Sequence, residues 1–248
     1  MTGFFKLFIL FLFIISTAAC SGSRATPEQN AEKLFQSAER LLERGLWEDA
    51  LTAWEKVRDA YYTPELSMLA ELKIAETYFL ASRYPEAATS YRDFLRRYPN
   101  DFRASTVLFR LGQSHYRQIL SRDRDQTNTR NALNTFDEFL RKYPNDPNAP
   151  QAEQWALRAR TRLADHEVYV GRFYLQRKHY QPAIERLENI LTQFPDYYYR
   201  DEAFFFLGRA YLAAGQTDDA RQILTQLVEE FPASTYFDKA YRLLDPKS

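Results

Sequence analysis

The chain has 248 residues, 45% hydrophobic and 16% aromatic, with 33 basic and 33 acidic side chains and a formal net charge of zero. That apolar fraction supports a sizeable core, and the even charge balance lacks the basic excess that a nucleic-acid backbone calls for. With only 7 glycines there is little room for phosphate-cradling loops or sheet turns.

The first segment, residues 1–19, reads as a signal peptide. Lys6 and the free amine form a positive start, Leu7 to Ile15 an apolar run, and Thr17-Ala18-Ala19 a stretch of small residues before Cys20. The run is shorter than the roughly 20 residues a spanning helix needs. Cys20, the only cysteine, is placed as the acylated first residue of a lipoprotein, with a plain secretory cleavage site as the competing reading. Residues 20–29, carrying Ser, Gly, Thr and Pro, form the lipidated N-terminus and a short linker.

From residue 30 onward the chain repeats. Ala38, Ala75 and Gly112 stand 37 residues apart, and Gly171 and Gly208 resume that step. Around Gly208 the unit reads Phe204, Leu207, Gly208, Tyr211, Ala220, Leu224, Leu227 and Pro232, a tetratricopeptide pattern stretched by three residues. Each unit is expected to be a helical hairpin in which the small residue of the first helix lets the second approach closely. The fold class is therefore all-α, a right-handed solenoid of five such hairpins with the first helices along its inner curve. Gly45 and Gly215 suit left-handed helix ends, and Pro85 and Pro182 suit first turns of second helices.

Two departures interrupt the period, because Gly112 and Gly171 are 59 residues apart. One part of the excess is the charged run Ser121 to Asn128, read as a solvated loop without apolar anchors. The other precedes Gly171, where Ala149 to Lys178 reads either as one helix of about 45 Å or as two meeting near Ala164-Asp165. The solenoid is accordingly divided into residues 30–147, repeats one to three, and residues 148–248, the long helix with repeats four and five.

Helical geometry turns positions three before, one after and four after each small residue toward the inner curve. These positions give a peptide groove of Leu72, Glu76 and Phe79 in repeat two and Phe109, Gln113 and Tyr116 in repeat three, with Phe35 and Leu42 added from repeat one. An aromatic row with few charges suits an extended or helical peptide. In the competing reading Phe79 and Phe109 pack against neighbouring repeats.

No chemistry of catalysis is apparent in the sequence. His115, His166 and His179 pair with neither Cys nor a second His at ligand spacing, and nucleophile-elbow, P-loop and dinucleotide motifs are absent. The expectation is a protein that is not an enzyme and holds no metal or cofactor.

The signal ending Cys-Ser-Gly-Ser, the five repeats, the Arg-Asp-Arg-Asp insertion before Asn131-Ala132 and the stretch Arg162 to Glu167 leading to Tyr174 and Pro195 occur in one order. Together they resemble the BamD family, tetratricopeptide lipoproteins of the outer-membrane β-barrel assembly machinery. The resemblance implies a lipid anchor at Cys20, a place on the periplasmic face of the outer membrane and other assembly-complex lipoproteins as neighbours. It further implies BamA as partner of the C-terminal half and nascent outer-membrane proteins as substrates of the N-terminal half. It carries Arg186, three residues after Ala183, over as a BamA contact, against a surface arginine lying along Leu187 and Ile190. A periplasmic scaffold for cell-envelope division or peptidoglycan coordination is the alternative function.

Overall fold

The computed structural model describes residues 27–60 and 63–245. The expected signal peptide, Cys20 and most of the linker lie outside the described residues. Among the described residues there are eleven helices and no strand. They are α1 (Pro27–Glu43), α2 (Trp47–Asp59), α3 (Pro64–Leu80), α4 (Tyr84–Arg97), α5 (Ala104–Tyr116) and α6 (Thr127–Lys142), then α7 (Ala149–Gln176), α8 (Tyr180–Gln193), α9 (Arg200–Ala214), α10 (Thr217–Glu230) and α11 (Phe237–Leu244).

The chain divides into two compact units, one ending at Glu71 and the other beginning at Leu72, within α3. The boundary expected at 147/148 falls inside the second unit, where α6 packs closely on α7. In the first unit α1 packs on α2, with the Phe35 ring edge-on to the buried Trp54 at 4.9 Å. In the second, each helix from α4 to α11 packs on its sequence neighbour, the pattern of stacked hairpins.

Four hairpin turns are built alike. Gly45, Ser82, Lys178 and Gly215 all adopt left-handed backbone, with φ of 70°, 59°, 61° and 80°. At each, this residue's N–H donates to the carbonyl three residues back, and the next N–H donates to the carbonyl five residues back, as in Lys178 N to Leu175 O and His179 N to Tyr174 O. This pair of bonds closes a helix end without side-chain help, and glycine fits it at no steric cost. Ser82 and Lys178 were not legible as left-handed positions, because nothing in those side chains signals one.

The hairpin seams are closed by the small residues of the first helices. A Cβ placed on Gly112 would lie 2.6 Å from Phe136 Cε1, on Gly171 2.7 Å from Leu187 Cγ, and on Gly208 2.5 Å from Leu224 Cγ. Each of these facing side chains is fully buried and stands four residues after the second-helix alanine of its repeat, Ala132, Ala183 or Ala220.

In repeat three the tight turn gives way to the insertion. Residues 121–125 are exposed as expected, yet the loop is anchored, by polar rather than apolar groups. Gln126, 1% exposed, donates to the Ser121 and Arg124 carbonyls at 2.9 Å and accepts from Thr129 Oγ1 at 2.7 Å. His166 of α7 donates from Nδ1 to the Arg122 carbonyl at 2.6 Å. That helix is continuous over 28 residues, which decides for one helix over two. No helix of the described residues is long and apolar enough to cross a membrane.

Candidate functional site

The first-helix faces carry the residues expected to bind a peptide, some in each of the two units. In the first, Phe35 and Leu42 are half-buried on α1. In the second, Leu72, Glu76 and Phe79 are half-buried along α3, with Glu76 ion-paired to Lys73 at 3.3 Å. The Phe79 ring meets Tyr84 edge-on at 5.5 Å. Its face is covered by the Arg110 guanidinium of α5, 4.9 Å from the ring centroid. Arg110 is exposed and donates from Nη1 to Gln113 Oε1 at 2.8 Å. Both of these contacts are uncharged, and no carboxylate is hydrogen-bonded to this cation among the described residues.

Behind this shelf lies Tyr91 of α4, buried, its hydroxyl without a hydrogen-bond partner. Burial first, and then the charge of Glu76, push its pKa up, while Arg110 pulls the other way. The phenol therefore stays neutral.

Repeat three differs from the expected groove. Phe109 is 5% and Gln113 8% exposed, so neither offers a lining surface. The physical reason is Trp155, near the start of α7, whose indole stacks on Phe109 at 5.6 Å and on Tyr116 at 5.4 Å, nearly parallel to both. It also meets Phe136 edge-on at 5.5 Å. Phe109 is thus a packing residue and Gln113 a positioning partner of Arg110. Sequence reasoning missed Trp155 because it falls in the stretch before Gly171 that the repeat template does not cover.

Arg186 of α8 is exposed and does not lie free along Leu187 and Ile190. Its Nη1 contacts both Glu167 oxygens, at 3.0 and 3.2 Å, bridging α8 to α7. Farther along, Arg172 of α7 pairs with Glu202 of α9 at 2.6 Å and stacks on Phe206 at 4.4 Å.

The histidines have local roles. His115 is buried, and its Nε2 lies 3.3 Å from an Arg92 nitrogen, so this ring nitrogen accepts. Burial and then the Arg92 charge hold its pKa below the ordinary value. His179 sits exposed in the α7–α8 turn, edge-on to Tyr174. Among the described residues no group of three or more His, Cys, Asp or Glu could hold a metal ion.

Helical hairpins packed in sequence order, with small residues at their seams, define a tetratricopeptide-type α-solenoid. More particularly, residues 27–223 match the YfiO family model, described as outer membrane lipoprotein, and the chain belongs to that family. Among its curated relatives are proteins named outer membrane protein assembly factor BamD. The one from Caulobacter vibrioides is 27% identical over 199 residues, covering 78% of this chain and 65% of that protein. In Rickettsia prowazekii the identity is 27% over 175 residues, covering 69% of this chain and 68% of the relative. In Vibrio cholerae it is 25% over 207 residues, covering 79% and 83%. This chain thus spans just under two thirds of the Caulobacter protein's length.

Proposed function

We propose that this protein is a non-enzymatic outer-membrane lipoprotein of the β-barrel assembly machinery, tethered on the periplasmic face through acylated Cys20. In this reading it captures unfolded outer-membrane proteins and delivers them to a BamA partner. Family membership and the relatives' name as assembly factors support the process. The observation that carries substrate capture is the Phe79–Arg110 shelf, an aromatic face beside a guanidinium whose described partners are neutral. A β-strand end that finishes on an aromatic residue offers a ring for Phe79 and a terminal carboxylate for Arg110.

The test is fluorescence anisotropy with a strand-end peptide ending in phenylalanine, as free acid and as C-terminal amide. Wild type is expected to prefer the acid about tenfold, a charge-assisted hydrogen bond's worth. Arg110→Gln is expected to bind both forms alike, and Phe79→Ala to lose both. Equal binding of the two forms by wild type removes the carboxylate role, and no binding of either removes the shelf.

The partner contact follows from Arg186. A BamA carboxylate would compete with Glu167 for this guanidinium, so Arg186→Glu should weaken BamA binding at least tenfold while Glu167→Gln leaves it equal or tighter. Unchanged affinity in the Arg186→Glu protein refutes this contact.

A further inference from the structure

Past the Trp155 stack, the first half of α7 carries a feature that strand-end capture does not use. A cleft of about 530 Å³ is lined by Tyr116, Ile119, Leu157, Arg158, Arg162 and Asp165, among others. Leu157 and Thr161 also line a smaller cavity on the Phe194–Tyr197 side, so this stretch of α7 borders both openings. Leu157 is 59% exposed, a large aliphatic side chain left in solvent between polar neighbours.

The charged residues lining the cleft are Arg158, Arg162 and Asp165, a net positive set. Residues 154–164 contain Arg158, Arg160 and Arg162 and no carboxylate. Arg160 is engaged by Asp137 of α6 at 3.5 Å, and Asp165 accepts the Tyr197 hydroxyl at 2.6 Å. Arg158 and Arg162 form no ion pair among the described residues. Spaced four apart, they project from one side of α7 about one helical turn from each other.

A guanidinium fork is weakly hydrated and matches a carboxylate edge-on, so two of them beside an exposed leucine select a ligand that is both anionic and apolar. We propose that this face of α7 is a docking site for an acidic amphipathic helix of a partner protein. Carboxylates one turn apart on that helix pair with Arg158 and Arg162, and an apolar side chain between them covers Leu157. The site is separate from the Phe79–Arg110 shelf and from Arg186, and it stands whether or not those bind what is proposed for them.

The experiment uses the full chain carrying Cys20→Ser, so that acylation contributes nothing. The probes are a fluorescein-labelled helical peptide with glutamates four apart flanking leucine, and its counterpart with lysine for glutamate. Wild type is expected to bind the acidic peptide at least tenfold more tightly. Arg158→Glu with Arg162→Glu should reverse that preference, Arg158→Gln with Arg162→Gln should abolish it, and Leu157→Ser should weaken the acidic peptide severalfold. Circular dichroism establishes that each variant keeps its helix content and melting temperature. Equal affinity for the two peptides, or a preference that survives charge reversal, overturns the proposal. So does a protein that ignores the acidic peptide but binds phosphatidylglycerol vesicles through these arginines, which would make the face a lipid contact.

Discussion

Repeats two and three present the same register position to very different neighbours. Phe79 stands four residues after Ala75 and Tyr116 four after Gly112. Over Phe79 the next first helix supplies the exposed cation Arg110, whereas over Tyr116 and Phe109 it supplies the indole of Trp155. One face is left as a shelf with unspent charge, and the other is closed by a three-ring stack. The difference lies in α7, which extends N-terminal to its glycine far beyond the ordinary first helix and so brings an extra aromatic across repeat three. Lengthening one helix thus closes the face of repeat three while Phe79 of repeat two stays half-buried, without altering the repeats themselves.

Removing the cover is the strongest way to break the contrast. Trp155→Ala takes away a ring packed on Phe109, Tyr116 and Phe136. The expected loss is about 3 kcal/mol, the lower end for deleting a core aromatic, because the indole is only partly buried. Chemical denaturation measures it. A loss near zero would mean that the stack contributes little and that repeat three is as open as repeat two.

A smaller effect is expected at the seam beneath the stack. Gly112→Ala drives a methyl group into the Phe136 ring, which is fully buried and already held by Phe109 and Trp155. Overpacking of this kind costs about 1–3 kcal/mol, against up to about 1 kcal/mol gained from alanine's helix propensity. Ala75→Gly in repeat two removes a fully buried methyl group where one is already accommodated, so it costs that propensity plus the lost burial of the methyl, about 2 kcal/mol together. Equal melting temperatures for Gly112→Ala and wild type would refute the close approach.

How much of this could be read in advance follows from what a repeat template contains. The period located every seam residue, and Gly45 and Gly215 announced their left-handed turns. It also put Phe79 and Phe109 on one face. What covers that face was illegible, because Trp155 approaches Phe109 from 46 positions away in sequence, inside a stretch with no counterpart in the other repeats. Likewise Arg186 was found as a charged position, but its Glu167 partner, 19 residues earlier, depends on how α8 packs against α7. The anchoring of the loop is also invisible in the sequence, because Gln126 and His166 are polar side chains whose role is to satisfy backbone carbonyls.

Behind the open shelf, Tyr91 tests whether repeat two tolerates an imperfect interior. Its buried hydroxyl has no partner, a cost of about 1–3 kcal/mol relative to a paired or absent group. Tyr91→Phe should therefore stabilise the chain by about 1 kcal/mol, with strand-end peptide binding unchanged. Destabilisation would mean that the hydroxyl is satisfied by a bound water, and weakened peptide binding would make it part of the site.

The smallest effect separates the turns of the two repeats. Repeat two closes its hairpin with Ser82 at φ 59°, a conformation that costs a residue with a Cβ roughly 1 kcal/mol relative to glycine. Glycine also gains entropy when unfolded, so Ser82→Gly should stabilise by only a few tenths of a kcal/mol. Lys178→Gly, in the same turn of repeat four, should behave alike. Repeat three has no such turn, since the Gln126-anchored insertion takes its place, and glycine there should bring no gain. Ser121→Gly is the control: its carbonyl accepts from Gln126 whichever side chain it carries, while glycine adds backbone freedom and gives up the hydroxyl's bond to Asp123, so stability should be slightly lower. A thermal shift upward in the Ser82 and Lys178 variants but not in the Ser121 variant would tie the gain to left-handed geometry. A uniform shift would refer it to the unfolded chain instead.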